Sequence, residues 1–414
     1  MWRDRKVLGW ALYDWANSAF ATTVLAGFFP ILFKEYWNAG VDAATSTARL
    51  GEASSLASLI GAILAPLLGA IADRAGRRKA SLFAFTMLGV VMTGTLGMVE
   101  KGHWQLASLC FVLAQIGFAG GLGFYDSLLV GVTRREHYDR VSGLGYALGY
   151  LGGGVLFALN VAMVLMPVTF GFEDGAAAAR FSFFTVALWW ALFSLPLFFW
   201  VPEAINPPRV GVIQAVGDGL RELRQTLSHL ARARNIALFL AAYWFYIDGV
   251  DTMIRMAVDY GLSLGFKSGD LITALLIVQF VGFPATLVFG WLGQRFGPKP
   301  GIFIALAVYA CVTIWAARME TVGQFYLLAV FIALVQGGVQ ALSRSYYARL
   351  IPPDKSAEFF GFYNMLGKFA AVLGPWLMGM VTLATGDVRT GLLSILVLFG
   401  IGGGLLFFVR SPER

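Results

Sequence analysis

The stretch GAIADRAGRRK, from Gly69 to Lys79, decides the fold because it interrupts two long apolar segments with a short, strongly basic run. Asp73 stands at the end of the first segment, and Gly76 allows the backbone to reverse before the second one. The cations of this run are Arg74, Arg77, Arg78 and Lys79. Positive residues favour the cytoplasmic side of a membrane. The stretch therefore predicts a tight cytoplasmic turn between two membrane helices, and the alternative is a generic basic turn that only fixes topology.

The composition of the whole chain supports membrane helices. Of its 414 residues, 58% are hydrophobic and 13% are charged, with a mean hydropathy of +0.71. A soluble domain carries about 25% charged residues, so a soluble globular protein is excluded. The formal net charge of +7 does not indicate a nucleic-acid partner, because the cations lie in short loops between apolar runs. The two cysteines lie inside apolar segments, where we expect them to pack as small side chains.

The apolar segments number about twelve and form two groups of six. We expect an N-terminal six-helix bundle over residues 1–201 and a C-terminal bundle over 235–414. Residues 202–234 form the linker, where an amphipathic helix is expected on the cytoplasmic surface as a structural connector or, alternatively, as a regulatory or partner-binding helix. Most of the 31 Lys and Arg residues fall on one side of this topology, which predicts that both termini are cytoplasmic. The first apolar run is too long for a signal peptide and is expected to remain as a span.

The second half of the chain repeats features of the first. Trp10 and Asp14 recur as Trp244 and Asp248 at a constant separation, and the basic turn recurs with Gln294 in place of Asp73. The same separation relates Asn17 and Ser18 to Asp251 and Thr252. Two six-helix halves in parallel repeat are typical of secondary transporters. The sequence therefore predicts two pseudo-symmetric bundles.

Ionisable residues inside the predicted spans are the candidates for function, because each costs about 2.5–3.5 kcal/mol to insert. Asp14, Asn17 and Ser18 share one face of the first span and offer a carboxylate, an amide and a hydroxyl to a small polar substrate. The other expected substrate-binding residues are Asp248, Asp251 and Lys368. The alternative is that these charges pair with one another and brace the bundles.

Two further charge arrangements have distinct interpretations. Arg255 lies four residues from both Asp251 and Asp259, so an ion-pair ladder along the seventh span is expected there. Asp126 and Arg344 lie near the cytoplasmic ends of the fourth and tenth spans, and we expect them to form an inner gate. With all three histidines in loops, proton coupling would need a carboxylate such as Asp14 or Asp248.

The turn at Gly69 to Lys79 resembles the loop signature of the major facilitator superfamily. The first span, WALYDWANSAFATTVLAGFFPILFKEYW, and the run FFGFYNMLGKFAAVLGP around Lys368 are similar to those of the vacuole effluxer-like family within it. The resemblance implies export of a small, amino-acid-like solute. It also implies that Asp73, Arg74, Gly76 and Arg77 form a latch that controls alternating access, and that the second latch, with Gln294, is neutral and weaker.

We therefore expect an integral membrane transporter of the prokaryotic inner membrane, working as a monomer on a small-molecule substrate. It needs no cofactor and no metal, and the sequence contains no motif of an enzyme. Protons are a candidate coupling ion. Two alternatives remain: a proton-coupled exporter of amphiphilic or drug-like compounds, and a non-transporting membrane sensor with the same fold.

Overall fold

The computed structural model describes residues 4–41, 43–75, 77–203, 233–263 and 266–410, and most of these are helical. Within these ranges the chain forms twelve long helices. The first six are α1 (Arg5–Trp37), α2 (Ala43–Ala75), α3 (Arg78–Leu96), α4 (Trp104–Val132), α5 (Tyr138–Leu165) and α6 (Gly175–Trp200). The second six are α7 (Arg234–Ser263), α8 (Ser268–Phe296), α9 (Pro298–Ala316), α10 (Val322–Leu350), α11 (Ser356–Thr385) and α12 (Val388–Phe408). The amphipathic helix expected in the linker lies outside the described residues.

Ten of these helices are long and apolar enough to cross a membrane, and α2 and α11 contain the shorter apolar stretches Leu59–Asp73 and Leu373–Thr385. Large apolar side chains remain exposed on the outer surface of the bundle; Phe199 is 78% and Leu383 is 83% exposed. Lipid would cover such side chains in a membrane. The all-α membrane fold expected from the sequence is confirmed, and twelve spans are consistent with it.

Local sequence signals set the helix ends. Thr321 and Gln324 bond each other's backbone N–H groups at the start of α10, which forms a capping box. Pro298 opens α9, at a position where its missing N–H costs no hydrogen bond. Gly386 ends α11 in the left-handed region with φ of 69°, which favours glycine. These caps separate consecutive spans by short turns.

The two halves pack by the same scheme. In the first half α1 packs on α5 and α6, and in the second half α7 packs on α11 and α12. Between the halves, α5 packs against α8 and α10, and α11 packs against α2 and α4. The parallel repeat predicted from the sequence thus extends to the interface between the halves, which places the polar faces of α1, α4, α5, α10 and α11 close together.

Candidate functional site

The centre of the molecule holds an ion cluster around Arg344 of α10. Its side chain is 1% exposed, and its guanidinium lies 3.0 Å from Asp126 on α4 and 3.3 Å from Asp14 on α1. The contact expected between Asp126 and Arg344 is therefore present. Asp14, which is expected from the sequence to bind substrate, joins the same cluster, in line with the alternative that the charges within the membrane pair with one another.

Neutral partners complete the hydrogen bonding of this cluster. The Tyr125 hydroxyl donates to Asp14 at 2.7 Å, and the Asn364 side-chain amide donates to Asp126 at 3.0 Å. Arg344 also donates to the hydroxyl and the carbonyl of Ser142 on α5. A buried ion pair needs such extra bonds, because desolvation otherwise cancels its Coulomb attraction. The cluster links three helices of the first half, α1, α4 and α5, and two of the second, α10 and α11.

Two aromatic rings and a glycine pack around the guanidinium of Arg344. Arg344 lies 4.1 Å from the ring centroid of Tyr146 and 4.7 Å from that of Trp10, distances typical of cation–π contacts. A Cβ at Gly145 would lie 2.6 Å from the Asp14 carboxylate and 3.0 Å from the Arg344 guanidinium. Any larger residue at position 145 would therefore separate the two charges.

A cavity of about 430 Å³ lies directly against this cluster. Its polar lining comes from the cluster and from neighbouring side chains, namely Asp14, Asn17, Ser18, Thr22, Asp126, Gln279, Gln336, Gln340, Arg344 and Asn364. Its apolar walls continue to Leu271, near the start of α8, and to Phe325, near the start of α10. The cavity thus runs from the central charges toward the end of the bundle that is opposite the α2–α3 turn.

Two polar groups that line the cavity are incompletely bonded. The Asn17 side-chain nitrogen and the Gln336 side-chain oxygen are buried and have no hydrogen-bond partner among the described residues. An unsatisfied buried polar atom costs about 1–3 kcal/mol. These atoms are therefore suited to a polar ligand, and Asn17 matches one of the substrate-binding residues predicted from the sequence.

In the turn between α2 and α3, Asp73 contacts the start of α11, the place where the resemblance implies a latch, and its control of alternating access stays a prediction. The Asp73 carboxylate accepts hydrogen bonds from the backbone N–H groups of Glu358, at 2.8 Å, and Ala357, at 3.3 Å, in the first turn of α11. Arg78 pairs with Asp73 and donates to the Asp354 carbonyl. A carboxylate is stabilised at a helix N-terminus by free N–H groups and the helix dipole. We call these contacts the Asp73 latch, and the end of the bundle that holds them the latch end.

The other half has a neutral contact at the equivalent place. The Gln294 amide nitrogen lies 3.0 Å from Nδ1 of His137, immediately before α5. Charge is supplied nearby by Arg349 of α10, which pairs with the buried Asp139 of α5. The expected neutral pairing of Gln294 is therefore present, although an ion pair one helix away supports the same end of the interface.

Asp248 and Asp251 were expected in the cavity, but neither is among the described residues that line it. The Asp248 carboxylate is fully buried and accepts hydrogen bonds from the Gly374 backbone N–H at 2.9 and 3.0 Å, within the α7–α11 interface. Gly374 permits this approach, since a Cβ there would overlap the Thr252 hydroxyl. Asp248 thus joins two helices of one half in this state, and its binding role stays a prediction.

Several predicted residues have side chains outside the described part of the structure. Gly76 lies outside it entirely, and the side chains of Arg74, Arg255, Asp259 and Lys368 are not described. Arg77 is exposed at the start of α3. Among the described residues no group of His, Cys, Asp and Glu could hold a metal ion. The latch roles of Arg74, Gly76 and Arg77 and the Arg255–Asp259 ion pair therefore stay predictions.

The sequence analysis missed Tyr125, Tyr146, Ser142 and Asn364. One signal was present: the separation that relates Gly143 to Gly361 also relates Asp126 to Arg344, and Tyr146 to Asn364. Each member of one pair contacts a member of the other, since Tyr146 lies over Arg344 and Asn364 donates to Asp126. The internal repeat therefore could have pointed to four residues of the cluster: Asp126, Tyr146, Arg344 and Asn364.

Comparison with protein families settles the relationship. The family model described as "Vacuole effluxer Atg22 like" matches residues 43–413. The chain belongs to this family. The Atg22-like chain is also 39% identical over 412 residues to the uncharacterized MFS-type transporter YxiO of Bacillus subtilis, covering 98% of this chain and 94% of that relative. It is 26% identical to autophagy-related protein 22 of Yarrowia lipolytica, covering 66% of this chain and 51% of that longer protein.

Solved structures show the same fold at low sequence identity. The proton:xylose symporter XylE superposes with a TM-score of 0.74 at 14% identity, covering 98% of this chain and 95% of that one. The human organic anion transporter MFSD10 superposes with a TM-score of 0.73 at 16% identity, covering 98% and 99% of the two chains. The Atg22-like chain therefore has the major facilitator fold, and its Bacillus subtilis relative is described as a transporter of this superfamily.

Proposed function

We propose that this transporter of the major facilitator superfamily exports a small zwitterionic solute, such as a neutral amino acid, by alternating access around the Arg344 cluster. The observation that carries the proposal is the position of this cluster. Arg344, Asp14 and Asp126 lie at one end of a 430 Å³ cavity and at the interface of the two halves. A ligand there would contact the same charges that join the halves.

The chemistry of the cluster suits a ligand with both charges. A guanidinium binds a carboxylate through two parallel hydrogen bonds, and a carboxylate binds an ammonium group. Arg344 and Asp14 offer these two groups within 3.3 Å of each other. A zwitterion can exchange partners with this pair, and the apolar walls near Leu271 and Phe325 can take its side chain.

The described state suits a cavity that is open away from the latch end. The Asp73 latch and the Arg349–Asp139 pair hold the halves together at the latch end. One similar structure, of FucP, is in the outward conformation, with a TM-score of 0.71. We assign the latch end to the cytoplasm, with both termini there. In a substrate-loaded cycle, the Arg344 contacts and the latch must break before the cavity opens inward.

Proton coupling through Asp14 is part of the proposal. The carboxylate already contacts both a cation and the Tyr125 hydroxyl, so protonation would weaken its attraction to Arg344. The proposed setting is the inner membrane of a prokaryote, as a monomer of two bundles over residues 1–201 and 235–414. Release of the Asp14–Arg344 pair by a proton would couple ion movement to opening of the interface.

The test is counterflow of labelled solutes in proteoliposomes that contain the wild-type protein. A panel of neutral, acidic and basic amino acids is measured with and without an imposed pH gradient. Flux of neutral amino acids supports the proposal, and gradient dependence supports the coupling. The apolar walls favour one second candidate, an exporter of amphiphilic compounds. Flux of lipophilic cations or anions with no amino-acid flux would favour that candidate, and no flux at all would favour a sensor.

A further inference from the structure

A second cavity, of about 740 Å³, lies at the latch end, away from the central site. It is formed by the start of α9, the end of α8, the end of α10 and the segment before α5. Among the described residues that line it, the cations are Arg135, Lys299 and Arg349, and the one acidic residue is Glu136. Arg349 pairs with Asp139, but Arg135 and Lys299 have no carboxylate partner within the described ranges. The cavity is therefore electropositive.

The start of α3 in the first half is the place equivalent to the start of α9, beside the second cavity. There the Nζ atom of Lys79 donates to the Phe198 and Val201 carbonyls, and the Glu203 carboxylate accepts from the Lys79 backbone N–H at 3.1 Å. In the second half the Nζ atom of Lys299 makes the same bonds, at 2.8 Å each, to the Phe407 and Val409 carbonyls. The lysine is thus repeated with its carbonyl partners.

The carboxylate is not repeated in the described part of the second half. Among the described residues no side chain caps the start of α9, and the cavity lies against it at Gly297, Pro298, Lys299 and Pro300. A helix N-terminus attracts anions through its dipole and its backbone N–H groups. In the first three residues of α9 only Lys299 has an N–H, because Pro298 and Pro300 have none. Within the described residues, the second cavity therefore lies where the first half holds the Glu203 carboxylate, and three cations line it.

One wall of the cavity is apolar and faces outward. Phe296 is 55%, Ile304 is 52% and Phe407 is 69% exposed, and all three line the cavity. These side chains lie on membrane-spanning helices, so their exposed surface contacts lipid. An occupant of the whole cavity must then combine an anionic group with an apolar chain.

We propose that this cavity binds the headgroup phosphate of an anionic phospholipid in the leaflet at the latch end. The phosphate accepts hydrogen bonds from Arg135, Lys299 and Arg349, and an acyl chain lies along Ile304 and Phe407. Arg135 belongs to the first half and the other two cations to the second, so the bound lipid joins the halves beside the neutral Gln294–His137 contact. The lipid supplies there the negative charge that Glu203 supplies at the start of α3 in the first half. This site does not depend on which solute the transporter moves.

The experiment measures lipid binding to the purified full-length protein by native mass spectrometry. The probes are phosphatidylglycerol, phosphatidylcholine with the same acyl chains, and inorganic phosphate. The test variant is Arg135→Gln with Lys299→Gln. The matched control is Lys79→Gln, which removes the same type of carbonyl contact in the half that keeps its own carboxylate.

We expect phosphatidylglycerol to bind the wild-type protein in preference to phosphatidylcholine. The test variant should bind it about tenfold or more weakly, because charge-assisted hydrogen bonds are lost, whereas Lys79→Gln should bind it as the wild type does. Equal binding of the two lipids, or unchanged phosphatidylglycerol binding in the test variant, would overturn the proposal. Displacement of the lipid by equimolar phosphate would overturn the role of the acyl chain. Circular dichroism shows whether each variant is folded.

Discussion

Asp126 and Arg344 occupy equivalent positions in the two halves, 218 residues apart, and their side chains form an ion pair of 3.0 Å at the interface. An internal repeat places identical backbone positions on opposite sides of a pseudo-two-fold axis. Opposite charges at one such position therefore meet where the halves meet. Asp14 and Asn364 extend this pair into a network across the interface of the two halves.

Removal of the cation should destabilise the protein more than removal of the whole pair. Arg344→Gln leaves Asp14 and Asp126 buried without a cation, which costs about 3–5 kcal/mol. Adding Asp126→Asn removes one uncompensated charge and should recover part of that loss. The apparent unfolding temperature of each purified variant measures this. A double variant less stable than Arg344→Gln would contradict the assignment of the cluster as one network.

Neutralising Asp73 should slow transport without preventing insertion. The amide of Asp73→Asn keeps its oxygen but loses the charge that attracts Arg78 and the first turn of α11, so the closed state is less favoured. We expect turnover to fall about tenfold, which corresponds to one charge-assisted hydrogen bond. Counterflow rates at equal amounts of inserted protein measure this. Gln294→Ala is the matched change in the other half and should have a smaller effect; an equal effect would contradict the difference between the two latches.

Gly69 should not tolerate even alanine. A Cβ there would lie 2.4 Å from the Ala357 carbonyl oxygen, so α2 and α11 would have to separate at the latch. Such overpacking costs about 1–3 kcal/mol. Accessibility of a cysteine placed at the latch end should increase in Gly69→Ala. The control is Gly379→Ala on α11, where a Cβ meets nothing within 4 Å. Identical accessibility in both variants would contradict the expectation that Gly69 is needed for the close packing of α2 on α11.

Two substitutions of Asp248 distinguish a structural role of this residue from a role in transport. Asp248→Asn keeps an oxygen that accepts from the Gly374 N–H, so we expect near-normal stability. Asp248→Ala removes this charge-assisted hydrogen bond, at a cost of about 1.5–3 kcal/mol. Thermal unfolding of both variants checks this. Transport by Asp248→Asn is then informative, because its loss in a stable protein would restore the sequence-based expectation that Asp248 acts in the cycle.

The fold could be predicted from the sequence because membrane helices are recognised by the apolar composition and the length of their segments. The turn at Asp73 also indicated the superfamily, because it resembles the superfamily's loop signature. Its carboxylate accepts a hydrogen bond at the N-terminus of α11. The repeat of Trp10 and Asp14 as Trp244 and Asp248 predicted two equivalent halves. The turn and the repeat both depend on the spacing of residues along the chain, which can be read from one sequence.

The site was harder to predict because it depends on contacts between distant helices. Asp14 and Asp248 are equivalent in sequence, but Asp14 faces Arg344 of the other half and Asp248 faces Gly374 of its own half. No spacing within one helix distinguishes these environments. Gly145 is similar, because its small size has meaning only once Arg344 is known to lie beside it.

Counterflow of a neutral amino acid in proteoliposomes that contain Arg344→Lys shows whether the Arg344 cluster is needed for transport. Lysine keeps the charge but loses the planar donors that reach Asp14, Asp126 and Ser142 together. We expect a flux about tenfold to a hundredfold below wild type, because one or more charge-assisted hydrogen bonds are lost. We also expect unchanged flux in the control Arg318→Lys, at an exposed position. Wild-type flux through a folded, inserted Arg344→Lys protein would contradict the need for this cluster.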